Sequence, residues 1–473
     1  MKKVDLLVRN GRVVDPVNSI DGVADVALSD GKVVEIRQGM DPTAALEVID
    51  ADGALVVPGV VDSHVHLVRV GSEGVPYNML LRRGVTTTMD MRGSIDTFVD
   101  EMETHGHGLN AACLHALVIG EDVQSENPGR DEVSKAIDKV LARGAFGIKM
   151  VGGHIPFTPE ATAIVIDECA KRGAYVAFHC GTTKTGSNIN GFLEAVELAA
   201  GNPLHVCHTN AYLRGQVESP LLETNKLLAS LEENPHLVSE SYISVMNGTS
   251  ALLENGTVKS RVTQTCLKRK GYGIDKEGMG KAIKDGWARI YARIGGELGY
   301  LAPAEGYAYW DRSNTNANCS FPVNDPVAML ACATARRKDG SFTVDAISTD
   351  GGGIPRNVIF ENGVHLVAMG YMSMQDLVLK SSYYPARMLG LVNKGHLTPG
   401  ADADVSVFCP CSGKALYTIV GGVVRMAAGV CGTGPGVVIT SEQGKKAVED
   451  RKIPCIAPDL AESTFRKGHP KTV

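Results

Sequence analysis

Residues 55–67 read Leu-Val-Val-Pro-Gly-Val-Val-Asp-Ser-His-Val-His-Leu, an apolar run that ends in a His-x-His pair. Side chains two residues apart on a strand point to the same face, so His64 and His66 aim at one point beyond the strand's end. Neutral imidazole is a preferred ligand of zinc and related ions. A bare His-x-His is more often two loop histidines. Here Val60-Val61 indicates a buried parallel strand, and Asp62 is placed to orient a ligand.

The composition narrows the class of protein. With 473 residues the chain is too long for one small core, so a large domain with a satellite is expected. A net charge of −6 without a long basic run gives no reason to expect nucleic acid or a membrane as partner. No apolar stretch reaches the roughly 18–20 residues of a membrane span, and no signal peptide is expected. Eleven cysteines scattered through apolar runs predict reduced thiols and a cytoplasmic protein.

Both ends of the chain carry strand patterns. Residues 4–57 alternate Val/Ile-rich runs with the turn dipeptides Asn10-Gly11, Asp30-Gly31 and Asp52-Gly53, which predict hairpins in a small antiparallel sheet. A similar pattern returns over 403–426. We predict a β-sandwich module from residues 1–57 plus 396–440, an inserted domain over 58–395 and a C-terminal extension over 441–473 that wraps the surface.

The inserted region alternates apolar strands with amphipathic helices, which predicts a parallel (β/α)8 TIM-type barrel. The predicted strands are Val57–His66, Val85–Met91, Ala112–Ile119, Phe146–Val151, Tyr175–His179, Leu204–His208, Leu237–Ile243 and Ala346–Thr349. The clearest predicted helices are Asp131–Arg143, Thr158–Arg172 and Gly191–Ala200. Between the last two strands lie residues 244–345, which we interpret as an elaborated substrate loop; they hold a predicted helical stretch, Met279–Leu298, and an irregular stretch, Asp311–Pro326.

Chemistry in such a barrel lies at the carboxyl ends of the strands. The polar residues at those ends are His64, His66, Lys149, His179, His208 and Asp350. Taken singly, Lys149 reads as a surface lysine, the histidines as core residues and Asp350 as a turn aspartate. Their order at successive strand ends favours one shared site. His205 competes with His208 but lies deeper and on the opposite face, so we favour His208.

The chain resembles the amidohydrolase superfamily, in the branch of dihydroorotase, hydantoinase/dihydropyrimidinase, isoaspartyl dipeptidase and D-aminoacylase. The matching segments are 58–66, 84–87, 147–150, the two histidine strands, 348–351, 385–391 and 394–404. The resemblance implies two divalent metals, most often zinc, one held by His64, His66 and Asp350 and the other by His179 and His208. It also implies that Lys149 is carbamylated and bridges both, since a lysine beside two cations loses its ammonium form and can add CO2.

The implied mechanism is attack of a metal-bridging hydroxide on a polarised carbonyl, with Asp350 as general base and then as acid toward the leaving nitrogen. Single-metal deaminases of the superfamily place a glutamate soon after the strand-five histidine. Residues 180–184 hold no acid, so deamination is the weaker alternative.

The substrate is harder to predict. Arg214 and Arg356 are candidates to clamp a substrate carboxylate, and Tyr242 is a candidate to stabilise an oxyanion, although loop arginines are more often solvated and such tyrosines more often pack. We expect hydrolysis of a cyclic amide resembling hydantoin, dihydropyrimidine or dihydroorotate. The alternatives are an acyclic amidase, such as an N-acyl-D-amino acid deacylase or isoaspartyl dipeptidase, and a non-catalytic scaffold. A small-molecule substrate and a homodimer or homotetramer are expected.

Overall fold

A computed structural model of the chain describes residues 3–68 and 73–468. Two large sheets organise it, a parallel barrel and a separate nine-stranded sheet built from both ends of the chain. The predicted fold class, a (β/α)8 barrel with a small β-sandwich module, is confirmed. In the described ranges no helix combines the length and apolarity that crossing a membrane requires. All eleven cysteines are unpaired.

The barrel strands follow the predicted order. Strands one to eight are Val60–His66, Val85–Asp90, Asn110–Ala116, Gly147–Val151, Tyr175–His179, Leu204–Val206, Leu237–Tyr242 and Ala346–Ser348 continued by Gly351–Gly352. The helices around them are Val75–Leu81, Ile95–His105, Arg130–Ala142, Pro159–Arg172, Ile189–Ala199, Pro220–Glu233, Pro326–Thr334, Ile359–Ala368, Met374–Val378 and Tyr384–Met388. Thr158 caps Pro159–Arg172 by accepting from the backbone nitrogen of Ala161.

Strand eight closes the barrel in two pieces. Ala346–Ser348 pairs with strand seven, and Gly351–Gly352 pairs with strand one beside Val65 and His66. Asp350 lies at the break with φ of 47°, a left-handed conformation that is unusual outside glycine. The break therefore brings Asp350 beside the His-x-His pair.

The module sheet differs from the antiparallel prediction in its longest strand. Its strands are Val4–Asp15, Ile20–Ser29, Lys32–Arg37, Ala45–Asp50, Leu55–Pro58, Val405–Phe408, Ala415–Val420, Val423–Ala427 and Val430–Cys431. Asp30-Gly31 forms the predicted hairpin. The other two turn dipeptides do not, because Ala45–Asp50 and Leu55–Pro58 run parallel to Val4–Asp15 along one edge. Asn10-Gly11 is instead a bulge, bonded to Gly53.

Residues after strand seven form a small subdomain, here called the insertion (residues 244–325). Its helices are Arg261–Lys268, Lys276–Lys284 and Pro303–Arg312, and its strands are Thr249–Ser250, Leu253–Glu254, Thr257–Val258, Arg289–Ile294, Glu297–Tyr300 and Asn318–Ser320. The predicted helix Met279–Leu298 is therefore wrong beyond residue 284. Gly286 takes positive φ after the helix, and Gly295-Gly296 turns the following residues into a hairpin. Trp310 and Phe321 are buried in a core of their own.

The C-terminal segment packs against the barrel at the amino-terminal ends of its strands. Val437–Ile439 pairs in parallel with the start of strand three. Cys455–Ile456 in turn pairs in parallel with Val437–Ile439. The Phe465 ring stacks on Tyr175, the first residue of strand five, with centroids 4.0 Å apart. The short helices Lys445–Asp450 and Thr464–Lys467 lie in the same segment. The domain limits predicted from the sequence stay predictions.

Candidate metal centre

The structure brings together the six side chains predicted at the strand ends. Ligand atoms of His64, His66 and Asp350 all lie within 4.8 Å of one another. Nε2 of His66 is 2.9 Å from Oδ1 of Asp350, and Nε2 of His64 is 3.4 Å from the same oxygen. The chain reaches this arrangement because strands one and eight are neighbours in the barrel.

The second pair lies against the first. Nε2 of His208 is 3.0 Å from Nδ1 of His179, and the rings of His208 and His64 have centroids 5.1 Å apart. His208 follows strand six with φ of 33°. Residues held in left-handed backbone conformations by their surroundings cluster at functional sites. Both His208 and Asp350 fit that pattern.

The protonation of the cluster suits metal binding. Burial, together with the charge of Lys149, lowers the pKa of His64 to about 4. Burial also lowers the pKa of His66, and it lowers those of His179 and His208 far below the ordinary value. These imidazoles are therefore neutral at pH 7, which is the form that binds metal.

Asp350 is held ionised by its neighbours. Burial alone favours the neutral acid, but the guanidinium of Arg356 outweighs it and holds the pKa of Asp350 well below its usual range. Nη2 of Arg356 lies 2.5 Å from Oδ2 of Asp350. Nε of Arg356 also donates to the backbone oxygen of Asp350 at 2.8 Å, and Nη1 donates to that of Met246 at 2.9 Å. Oxygen atoms of Asp350 and Met246 thus take up much of the hydrogen-bonding capacity of Arg356, the guanidinium predicted to clamp substrate.

Lys149, on strand four, lies beside the cluster, and its charge contributes to the lowered pKa values of His64, His179 and His208. It is 2% exposed, and its Nζ lies 2.6 Å from Sγ of Cys207 and 3.3 Å from Sδ of Met91. Within residues 3–68 and 73–468, no carboxylate oxygen is within 4.0 Å of Nζ. Burying an ammonium without a carboxylate partner is costly.

The donor set fits divalent metals. Four neutral imidazoles and one carboxylate converge beside the buried Lys149. Two imidazole nitrogens facing each other at 3.0 Å, as in His179 and His208, suit a shared cation. Imidazole and carboxylate ligands together suit zinc and its neighbours.

Glu240, on strand seven, is a functional candidate that the sequence reasoning missed. Its Oε1 accepts from Nδ1 of His64 at 2.7 Å and from the backbone nitrogen of His208 at 2.6 Å, while Ser348 donates to Oε2. Burial opposes its charge, but the hydrogen bonds from His64 and His205 outweigh it and hold the pKa of Glu240 well below the ordinary value. A hydrogen bond of this kind fixes the tautomer of His64 so that Nε2 faces Asp350. A charged residue inside an otherwise buried strand was the available signal.

The remaining predicted residues lie to one side of the cluster. The Tyr242 hydroxyl accepts from Nδ2 of Asn324 at 3.0 Å and lies 3.4 Å from Nη2 of Arg214. Arg214 also donates from Nε to Oδ1 of Asn324 at 2.8 Å. The guanidinium of Arg356 lies 4.5 Å from the centre of the Tyr242 ring. The roles predicted for Tyr242, Arg214 and Arg356 stay predictions.

Glycine permits a close approach around His179. A Cβ at Gly153 would lie 2.3 Å from Nε2 of His179, so no larger residue fits there without displacing the ring. The same nitrogen lies 2.8 Å from Oγ of Ser187. Backbone and hydroxyl together therefore fix the orientation of this imidazole.

Comparison with known proteins places this architecture in a family. Residues 47–154 and 312–425 each match a family model described as "Amidohydrolase family". A dihydroorotase from Trichlorobacter lovleyi is 47% identical over 434 residues, covering 86% of this chain and 90% of that protein. A zinc complex of N-acyl-D-glutamate deacylase from Bordetella bronchiseptica is 17% identical, with a TM-score of 0.65 over 92% of this chain and 99% of that one. A dihydropyrimidinase from Brevibacillus agri is 16% identical, with a TM-score of 0.61 over 93% and 98%. The chain belongs to the amidohydrolase family, in its cyclic amidohydrolase branch, and is a hydrolase of carbon–nitrogen bonds other than peptide bonds.

Proposed function

We propose that this protein is a metal-dependent hydrolase that opens a cyclic amide of the dihydroorotate, hydantoin or dihydropyrimidine type. The observation that carries the proposal is the convergence of His64, His66, Lys149, His179, His208 and Asp350, which come from strands one, four, five, six and eight of the barrel. Relatives named dihydroorotase, one of them 47% identical, support the cyclic substrate class. Eleven unpaired cysteines support the expected cytoplasmic location.

In this proposal His64, His66 and Asp350 hold one divalent ion, probed first as zinc, and His179 and His208 hold a second. Bound there, the two ions would acidify a water and polarise the scissile carbonyl. Carbamylation of Lys149 would replace an unpaired buried ammonium with an anionic group among the ligands. Among the described residues Nζ lies against the sulfur atoms of Cys207 and Met91, so carbamylation would break no ion pair with a carboxylate.

The chain's own residues move the proton. Arg356 keeps Asp350 ionised, so its carboxylate is ready to accept a proton from the attacking water. Returning that proton to the ring nitrogen makes the nitrogen a workable leaving group. Arg356 holds Oδ2 and the backbone oxygen of Asp350, which fixes the direction of the carboxylate.

The experiment combines metal content with a substrate panel. Purified protein is analysed for bound transition ions and assayed with dihydroorotate, hydantoin and dihydrouracil beside N-acyl amino acids. We expect stoichiometric metal, ring opening and loss of activity on chelation. Hydrolysis of the acyclic panel alone would overturn the cyclic assignment, and indifference to chelators would overturn the metal mechanism.

A second experiment tests the role of Lys149 with a variant. Lys149→Ala should lose metal and activity together, with partial recovery of both in acetate or propionate, because a free carboxylate replaces the bridging group. Lys380→Ala is a matched control, since Lys380 is also fully buried but donates to the carbonyl oxygens of Val344 and Cys332. Full activity in Lys149→Ala would exclude the bridging role.

A further inference from the structure

A cavity of about 350 Å³ lies between the loop after strand six and the first helix of the insertion. Its walls are Arg214, Gly215, Gln216, Thr265, Lys268 and Arg269. Gly215, Gln216, Thr265, Lys268 and Arg269 are exposed, so the cavity opens to solvent. It is here called the basic groove. Its volume suits a small ligand or the end of a larger one.

The basic groove collects positive charge that the described residues do not neutralise. Arg214, Lys268 and Arg269 line it together with no acidic residue. Across the two described ranges, none of the three has a carboxylate oxygen within 4.0 Å; Arg214 bonds Asn324 and Tyr242, and Arg269 donates to the carbonyl of Val323. Residues 261–270 contain four cations and no acid, in a protein whose net charge is −6.

A local concentration of one charge sign in a concave site attracts ligands of the opposite sign. Guanidinium groups bind carboxylate and phosphoryl oxygens through paired, charge-assisted hydrogen bonds. Lys268 and Arg269 also end a helix, where cations favour the exposed carbonyls. Helix-end stabilisation does not account for Arg214, which comes from the barrel loop and faces the same cavity.

Two buried side chains, Tyr242 and Arg356, lie between the basic groove and Asp350 of the candidate metal centre. Arg214 lies 3.4 Å from the Tyr242 hydroxyl, the Tyr242 ring lies 4.5 Å from Arg356, and Arg356 lies 2.5 Å from Asp350. A ligand that reaches from Asp350 to the groove must therefore extend past these side chains, and its anionic group lies several bonds away from the scissile amide.

We infer that the basic groove is an oxyanion-binding subsite, and that it takes a carboxylate or phosphoryl group at the distal end of the substrate. The inference that the ligand is part of the substrate rests on the proposed function. The inference that the groove binds an oxyanion does not. A free anion would satisfy the same chemistry, and the two arms of the experiment separate these sources.

The first arm measures binding without catalysis. Inorganic pyrophosphate and succinate are titrated into the full-length protein by calorimetry at low ionic strength. We expect saturable binding that weakens about tenfold in Lys268→Gln and again in Arg269→Gln, because each removes one charge-assisted contact. Arg261→Gln is the matched control, with the same charge change at the other end of the same helix and outside the groove.

The second arm compares 5-(2-carboxyethyl)hydantoin with 5-propylhydantoin, which differ in the terminal anionic group. We expect kcat/KM to favour the anionic compound at least tenfold, mainly through KM, and the Lys268→Gln/Arg269→Gln double variant to bring the ratio near one. Arg261→Gln should leave the ratio unchanged.

The outcomes are distinct. Binding together with substrate preference supports a substrate subsite, and binding without preference assigns the groove to a free anion. If no amide in the panel is hydrolysed, the proposed function fails while the calorimetry still decides the groove. The inference is overturned if there is neither binding nor substrate preference, or if Arg261→Gln causes equal losses. The cations would then serve only to stabilise the end of the helix.

Discussion

Glu240 contacts two of the proposed metal ligands at once, so replacing it with glutamine tests whether its charge supports the metal centre. In Glu240→Gln one amide oxygen can still accept from Nδ1 of His64 and from the backbone nitrogen of His208. The amide nitrogen can then donate to the hydroxyl of Ser348, which is able to act as an acceptor. The substitution therefore preserves shape and hydrogen bonds while it removes the negative charge.

The expected loss is set by what outer partners of ligating histidines contribute. Removing such a partner typically lowers metal affinity or activity 10- to 100-fold, which is about 1.4–2.8 kcal/mol. Glu240 is 0% exposed, so water does not screen its interaction with His64. Two ligands depend on the same carboxylate, and we therefore expect the upper part of this range.

The assay is competition for Zn²⁺ against a chelating dye, with kcat/KM measured on the same samples. Glu223→Gln is the matched control, because Glu223 is an equally buried carboxylate that accepts from the backbone nitrogens of Gly215 and Val217. The control should lower the melting temperature without changing zinc affinity. Zinc affinity within twofold of wild type in a correctly folded Glu240→Gln protein would refute the reasoning.

Three further predictions test the site, the core and the C-terminal segment. Asp350→Asn should keep the fold, because asparagine tolerates φ of 47°, and should lower kcat about 100- to 10,000-fold; circular dichroism and steady-state rates check both, and a near-wild-type kcat would contradict it. Burial lowers the pKa of Lys380 to about 7 from 10.5, so between these values the unfolded chain binds more protons and stability should rise by up to about 1.4 kcal/mol per pH unit. Lys380→Met should flatten that rise in urea unfolding at about pH 7, 8.5 and 10, and an unchanged slope would count against it. Phe465→Ala should destabilise by about 3–5 kcal/mol, because the ring is buried against Tyr175; thermal unfolding beside Phe465→Leu, which should lose less, checks this, and equal melting temperatures would contradict it.

Much of the barrel was predictable because its signals are local. A buried parallel strand is a continuous apolar run, and polar residues within or just after its carboxyl-terminal part lie near the catalytic edge whatever their neighbours are. His64, Lys149 and Asp350 could therefore each be predicted from the sequence of a single strand. Glu240 was not, because its partners are remote in the sequence: His64 is 176 residues away and Ser348 is 108.

The insertion shows the opposite case. An amphipathic pattern over Met279–Leu298 suggested one helix, yet Gly286 and Gly295-Gly296 divide it into a helix and a hairpin. Short apolar runs do not distinguish strand from helix until a neighbouring strand is available, and here Arg289–Ile294 also pairs with Asn318–Ser320. The turn dipeptides of the module failed for the same reason, since only pairing decides between hairpin and bulge.

The amino-acid sequence by itself determined the class of fold and the set of side chains at the strand ends, because strand periodicity and apolar runs act over a few residues. The tertiary structure alone decided which groups meet: Arg356 with Asp350, Glu240 with His64 and His208, and the insertion's cations with Arg214. These contacts join residues brought together by barrel closure and by packing of the insertion. Electrostatic and hydrogen-bond partners depend on distance in space, and no local pattern in the chain encodes that distance.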